Sequence, residues 1–349
     1  MKIILTGGGT AGHIYPIVAI AQNLKRNSRI KFLYIGSRQG PEKKIASVFE
    51  IPFKGLIVGK WRNYASISNF WDLFKTFAGL IQAYFILTAF RPDVIFAKGG
   101  FVTFPVLYWA RLKKIPVVIH ESDVVMGRAN VWAAEFAKKI CVGFPVKFYQ
   151  QAPTEKLVFT GIPVRHEFFA PSVSNNPPVL LITGGSQGAH RINQIIKEIL
   201  PELLKKYMVW HLSGQADYED LKNDHPNYHL EAFSDEMPKL VTRADLIISR
   251  AGATTFAEIG AAQKPAILVP LPTAAADHQT ANAKVYEEAK AAVVISQNAL
   301  TSSSLLSIIN RLMEDKEILK LLGHHAGQFA QRDAAGQIVD VLFEVYNER

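Results

Sequence analysis

Residues 2–13 read KIILTGGGTAGH: a short apolar strand (Ile3, Ile4, Leu5) enters a glycine turn and then a helix, read from Pro16 to Lys25. Glycine lets the backbone turn tightly and approach a ligand closely, and the helix behind it points its positive end at the same place. Such a turn suits anionic or oxygen-rich ligands. Gly7, Gly9 and Gly12 also satisfy the G-x-G-x-x-G spacing of a dinucleotide fold. The next strand, residues 30–35 (IKFLYI), ends at Gly36, Ser37 and Arg38, where an NAD-binding unit would carry an Asp or Glu for the ribose hydroxyls. Arg38 would still suit the extra phosphate of NADP, so that reading stays open at this point.

Working outward, strands and helices alternate. Strands are expected at 93–97, 117–120 and 140–142, with helices at 103–112 and 130–137. The strand at 117–120 empties into His120, Glu121, Ser122 and Asp123, a polar set at the strand edge where open α/β sheets bind ligands. After Gly161 and Pro163, which read as a linker, the plan repeats. A strand at 178–183 leads into Gly184, Gly185, Ser186, Gln187, Gly188 and Ala189, then a helix at 190–204. Strands follow at 208–212, 228–232, 246–249 and 266–269. Between the last two lies Arg250 to Glu258, a further glycine turn opening a helix, with Glu258 in its first turn. A carboxylate there either complements the helix dipole or accepts from a ribose diol. Asp277, His278, Gln279 and Asn282 form another polar set at a helix start, and helices are expected at 302–314, 316–329 and 334–346.

This alternation predicts an α/β chain of two Rossmann-like domains. The boundaries fall at 1–163 and 164–334, with the helix at about 335–349 crossing back to the first domain. The 349 residues and 49% hydrophobic content suffice for two cores. One cysteine, Cys141, excludes an intramolecular disulfide framework, and three apolar residues after Lys2 are too few for a secretory signal. The charge is uneven. Residues 1–165 hold 23 Lys and Arg against 8 Asp and Glu, a net of +15, whereas residues 166–349 hold 16 against 22, a net of −6. The first half is suited to something acidic, either nucleic acid or an anionic membrane surface.

Residues 60–90 are aromatic and basic, with Lys60, Trp61 and Arg62 ahead of Trp71, Phe74, Phe77, Tyr84 and Phe85. The charge-free run Thr76 to Phe90 is fifteen residues, short of the roughly 20 that span a bilayer. A transmembrane helix is therefore not expected. The apolar residues outnumber one core-facing stripe, and with Lys60, Arg62 and Lys75 nearby two readings stay open, ordinary helix core or a patch that lies on a membrane.

The chemistry is limited. No zinc-type cluster, G-x-S-x-G elbow or D-x-D pair is present. Metal-free chemistry without a cofactor is expected, with backbone N–H groups and helix ends meeting any diphosphate charge. His13, at a helix N-terminus, is the candidate base. Alternatively it is a first-turn histidine satisfied by a nearby carbonyl.

Six motifs in order, Gly7 to His13, Lys98 to Phe101, His120 to Asp123, Gly184 to Ala189, Arg250 to Glu258 and Asp277 to Gln279, resemble the MurG family within glycosyltransferase family 28. The resemblance covers nearly the whole chain. It implies a GT-B fold, two Rossmann-like domains with parallel sheets facing across a cleft, with acceptor and membrane on the first domain and UDP-GlcNAc on the second. The implied activity is inverting transfer of N-acetylglucosamine to the C4 hydroxyl of lipid I, giving lipid II in peptidoglycan synthesis, without a metal.

The resemblance places Thr10, Ala11 and Gly12 beside the donor sugar and diphosphate, and gives the base to His13 or Glu121. Arg165 and Ser186 match donor contacts, Ser234 the uracil contact, Glu258 the ribose contact and Gln279 the sugar hydroxyls; Ala253, Thr254 and Thr255 line the nucleotide pocket. Asp123 stands where many members have Asn, Phe101 where Tyr is common, and Thr280 where Gln is frequent. The implied partners are UDP-GlcNAc, lipid I, the anionic cytoplasmic face of the cell membrane, to which the enzyme binds peripherally, and a cell-wall synthesis complex; nucleic acid is not among them. Three rivals stand beside this: a glycosyldiacylglycerol synthase of the same fold, an NADP-dependent oxidoreductase, and a non-catalytic nucleotide-sugar sensor.

Overall fold

The computed structural model describes residues 1–59, 67–173, 175–185, 188–274 and 277–348, and only the backbone of residues 67–71. Lys60, Trp61, Arg62, Ser186 and Gln187, and the Trp71 side chain, lie outside the described residues. The chain divides into two compact units, Met1–Pro163 with Asp333–Arg349, and Val164–Arg332.

The first unit holds a parallel seven-stranded sheet. Its strands are β1 (Lys2–Thr6), β2 (Lys31–Ser37), β3 (Phe53–Leu56), β4 (Val94–Ala97), β5 (Val117–Glu121), β6 (Lys139–Val142) and β7 (Leu157–Phe159), in the order β3-β2-β1-β4-β5-β6-β7. Interior strand β1 sets Leu5 beside Tyr34 on one side and Phe96 on the other. Ile3, Ile4 and Leu5 are fully buried, as a strand covered by helices on both faces requires.

Helix α1 (Ala11–Leu24) follows β1. It starts five residues earlier than the sequence reading placed it, so Ala11, Gly12 and His13 are its first turn and Pro16 lies inside it. Helix α2 (Glu42–Val48) joins β2 to β3, and α3 (Ile67–Phe90) joins β3 to β4. Helices α4 (Phe104–Leu112) and α5 (Arg128–Ala134) follow β4 and β5. The C-terminal helix, α12 (Ala334–Asn347), packs Ile338, Val341, Leu342 and Val345 into the same core as Ile14, Ile17, Val18 and Ala21 of α1.

The second unit holds a parallel six-stranded sheet. Its strands are β8 (Val179–Thr183), β9 (Met208–Leu212), β10 (Tyr228–Glu231), β11 (Leu246–Ser249), β12 (Ala266–Leu268) and β13 (Val293–Val294), in the order β10-β9-β8-β11-β12-β13. Its helices are α6 (His190–Leu203), α7 (Met237–Arg243), α8 (Ala253–Ala261), α9 (His278–Glu288), α10 (Ser302–Glu314) and α11 (Lys316–Gly327). Ile192, Ile195, Ile196 and Ile199 of α6 lie at helical spacing and bury against Leu180, Ile182, Val209 and Ile248.

Three differences from the sequence reading have physical causes. Strands β3, β7 and β13 have four, three and two residues, too short to show an alternation. Glu258 is the sixth residue of α8, past the first turn, so its carboxylate does not cap the helix dipole. Helix α3 has 24 residues and is apolar from Asp72 to Phe90, 19 residues, long enough by length and composition to cross a membrane. The fifteen-residue count ended at Lys75, but Lys75 pairs with Asp72 at 3.2 Å and does not interrupt the helix. One face of α3 is nevertheless built into the first unit. Ala83 and Leu87 are buried, Gly79 meets the Ile57 carbonyl and Pro105, and Trp109 of α4 donates its indole N–H to the Leu80 carbonyl at 2.8 Å.

Candidate active site

Each sheet presents the carboxyl ends of its strands to a group of turns, and the singled-out residues fall on those turns. In the first unit the glycine turn is held from behind. Tyr34 of β2 donates its hydroxyl hydrogen to the Gly7 carbonyl at 2.8 Å, and Gly9 donates its amide hydrogen to Glu42 Oε1 at 2.7 Å. Burial and the Glu42 carboxylate push the Tyr34 phenol far up, so it remains a donor. Thr10 precedes α1, and its hydroxyl lies 3.0 Å from His13 Nδ1. The turn after β4 closes on this one. A side chain at Gly100 would strike the Gly8 carbonyl, and one at Gly9 would strike the Phe101 ring. Gly99 and Gly100 have φ of 102° and 85°, the left-handed region glycine adopts without strain. Thr10, Ala11, Gly12, His13 and Phe101 are thus brought together.

Glu121, at the end of β5, is 4% exposed and fully engaged. Its Oε1 accepts from the Asp123 amide at 3.0 Å, and its Oε2 accepts from the Gly127 amide and the Asn130 side chain, both at 2.9 Å. Burial and then Asp123 push its carboxyl up, while Lys98, Asn130 and Gly127 pull it down. Lys98 is itself buried; burial lowers its ammonium and Glu121 and Asp123 hold it up. Buried Lys98 and Glu121 and half-buried Asp123 form one charge cluster at the loop 122–127. Asn130, which the sequence reading placed at a helix start without a site role, also donates to the His120 carbonyl at 3.0 Å. His120 places Nε2 2.9 Å from the Gly161 carbonyl, and burial, then Lys98, keep its pKa far below the usual histidine value.

In the second unit, the turn after β8 has Gly185 and Gly188 at φ of 72° and 73°, with the Gly188 amide bonded to the Gly185 carbonyl at 3.0 Å. It leads to the N-terminus of the fourteen-residue α6. Beneath it lies a polar network that sequence reading missed. Asn193 donates to Asp217 at 2.7 Å, and His211 sits between Asn193 (3.0 Å) and the Tyr228 hydroxyl (2.9 Å). Burial lowers the His211 pKa to about 4, so it is neutral in this network. Four residues, on α6, β9, β10 and the turn after β9, carry no common spacing, and only the fold assembles them.

The turn after β11 opens α8, with Ala253, Thr254 and Thr255 as its first three residues. One and a half turns on, Glu258 is 8% exposed, and burial raises its carboxyl to about 7 against the opposing pull of Arg165. Arg165 is buried as well, its guanidinium 5.1 Å from the Phe168 ring centre. Among the described residues no hydrogen bond reaches the Glu258 carboxylate, so a buried acceptor stands open beside a buried cation. Ser234 Oγ accepts from the Glu236 amide at 3.3 Å. Gln279 accepts from the Leu271 amide at 2.9 Å, which commits its carbonyl oxygen and turns its NH2 to act as the donor end. Among the described residues no three His, Cys, Asp or Glu side chains gather as a metal site.

Residues 3–142 match the glycosyltransferase family 28 N-terminal domain, and residues 179–338 match the family's C-terminal domain. A UDP-N-acetylglucosamine–N-acetylmuramyl-(pentapeptide) pyrophosphoryl-undecaprenol N-acetylglucosamine transferase of Lachnoclostridium phytofermentans is 38% identical, the match covering 99% of each chain. The enzyme of the same name from Clostridium perfringens strain SM101 is 42% identical over 90% of this chain and 91% of its own. The crystal structure of Acinetobacter baumannii MurG is 30% identical, covers 98% of this chain and 99% of its own, and has a TM-score of 0.74. With two parallel α/β domains, the chain has the GT-B fold of that neighbour.

Proposed function

The chain belongs to glycosyltransferase family 28, and on that premise we propose that it transfers N-acetylglucosamine from UDP-GlcNAc to the C4 hydroxyl of undecaprenyl-pyrophosphoryl-MurNAc-pentapeptide, converting lipid I to lipid II. The observation that carries the donor half is Glu258. A buried carboxylate with open acceptor positions is suited to the paired hydroxyls of a ribose. Ser234, Ala253, Thr254, Thr255 and Gln279 complete the donor set. Backbone N–H groups at the starts of α6 and α8 offset the diphosphate charge, and Ser186 is assigned there on the resemblance alone.

His13 is assigned as the base. In the tautomer whose Nδ1–H donates to Thr10 Oγ1, the lone pair that can take a proton is on Nε2. The acceptor hydroxyl gives its proton to Nε2 while its oxygen bonds to the anomeric carbon. The bond from that carbon to the β-phosphate oxygen breaks with inversion, and UDP leaves as the anion. Glu121 is assigned a positioning role, because each of its oxygens already accepts hydrogen bonds from the loop it anchors. Asp123 is carried by that loop.

The lipid-borne acceptor explains the outer face of α3. Leu73, Phe74, Phe77, Ile81, Tyr84 and Phe85 form one exposed stripe, and Tyr108 and Leu112 of α4 are exposed as well. A helix packed on one side and apolar on the other is suited to lying in a membrane surface. The net +15 of residues 1–165 then favours an anionic leaflet, and the enzyme is assigned to the cytoplasmic face as a peripheral protein. Release of UDP measured with a lipid I analogue and with diacylglycerol tests the reading. Turnover with the first alone supports it, and turnover with diacylglycerol alone replaces it by the glycosyldiacylglycerol synthase.

A further inference from the structure

We infer that Glu42 is a positioning residue for the transfer reaction, its carboxyl group built into the first glycine turn. The inference rests on the transferase reading for its kinetic consequence and on geometry alone for the contact. Glu42 is the first residue of α2 and is fully buried. Its Oε1 holds the Gly9 amide at 2.7 Å, and among the described residues its Oε2 has no hydrogen-bond partner.

Two glycines make the space for this carboxylate, and a third makes room for its stem and for the Phe53 ring. A Cβ placed on Gly8 or Gly40 would run into Glu42 carboxylate atoms, and in both cases every nearest neighbour belongs to Glu42. A Cβ on Gly36 would stand 2.9 Å from the Glu42 Cβ. None of the three has a positive φ, so the backbone there does not itself require glycine. The glycines are needed for what they enclose.

Two consequences follow for the turn. The Gly9 N–H that a G-x-G-x-x-G loop would offer to a phosphate is already taken by the Glu42 side chain. Tyr34 at Gly7 and Glu42 at Gly9 clamp the turn at two points, and the next residues, Thr10 to His13, carry the base and its hydrogen-bond partner. The clamp therefore sets where His13 stands.

The test is a double-variant cycle on Gly8 and Glu42, read by kcat, donor KM and amide hydrogen exchange. Glu42→Ala should lower kcat about tenfold or more with the donor KM within about twofold of the parent, whereas Glu42→Gln, which keeps an acceptor for the Gly9 amide, should restore most of kcat. Gly8→Ala should be similarly damaging in the parent chain and cost less than about twofold further in the Glu42→Ala background, since residues in contact are not additive. Gly9 exchange should accelerate in Glu42→Ala and stay slow in Glu42→Gln. The exchange readout needs no turnover, so a chain with protected Gly9 but no transferase activity would contradict the functional reading and leave the contact standing. Equal losses in both Glu42 variants, or a Gly8→Ala effect of the same size in both backgrounds, would overturn the inference.

Discussion

Glu258 lies buried beside Arg165, and the desolvation of its carboxyl outweighs the guanidinium's pull, leaving it at about 7. The usual value is 4.5, so between these the folded chain holds a proton the unfolded chain has lost. Stability should therefore fall as pH rises through that window, by about 3 kcal/mol in total. Glu258→Gln should flatten this dependence in urea titrations between about pH 5 and 8. A ribose diol donates to the ionised form, so UDP affinity in the parent should rise with pH through about 7, and the same variant should lose about tenfold in affinity at high pH.

His13→Ala should lower kcat by about 10² to 10⁴ while UDP binding by calorimetry stays within about twofold. Thr10→Val, which removes the partner of Nδ1 and keeps the shape, should show a smaller loss of the same kind. Equal loss of turnover and UDP binding would give His13 a structural role.

Glu121→Ala strands the amides of Asp123 and Gly127 and the side chain of Asn130. It should destabilise the chain by about 3 kcal/mol, lowering Tm. The residual activity should keep the acid limb of the parent's pH–rate profile. Loss of that limb with an unchanged Tm would make Glu121 the base.

The paired substitutions Phe77→Asp and Phe85→Asp, at positions 63% and 64% exposed, should leave Tm nearly unchanged. They should abolish sedimentation with vesicles containing anionic phospholipid and spare turnover of a water-soluble acceptor analogue. Unchanged sedimentation would remove the α3 stripe from the membrane face.

How much of this was readable from residues alone varies with scale. Runs such as residues 3–5, 179–182 and 246–248 announce strands because both faces are covered and every position is apolar, and the glycine turns after them mark the ligand edge. Glu42 was not readable. Gly7, Gly9 and Gly12 have one spacing whether the turn holds a phosphate or the protein's own carboxylate, and the carboxylate sits 33 residues from Gly9. The depth of Glu258 in α8 depended on where the helix began, and helix starts are set by capping geometry that Gly252 and Ala253 do not spell out. His211 is the one polar residue of β9, whereas Asn130 and Asn193 sit in helices that carry other polar residues, so nothing in the pattern singles them out. Their roles appear only when the sheet brings their partners near.

The central claim is the reaction itself, and its most direct measurement is the product. Purified protein, radiolabelled UDP-GlcNAc and a lipid I analogue should yield one labelled sugar per acceptor, and proton NMR should show that sugar β-linked at C4 of the muramyl residue. An α-linked product, label at another hydroxyl, or UDP release with no label on the acceptor would contradict it.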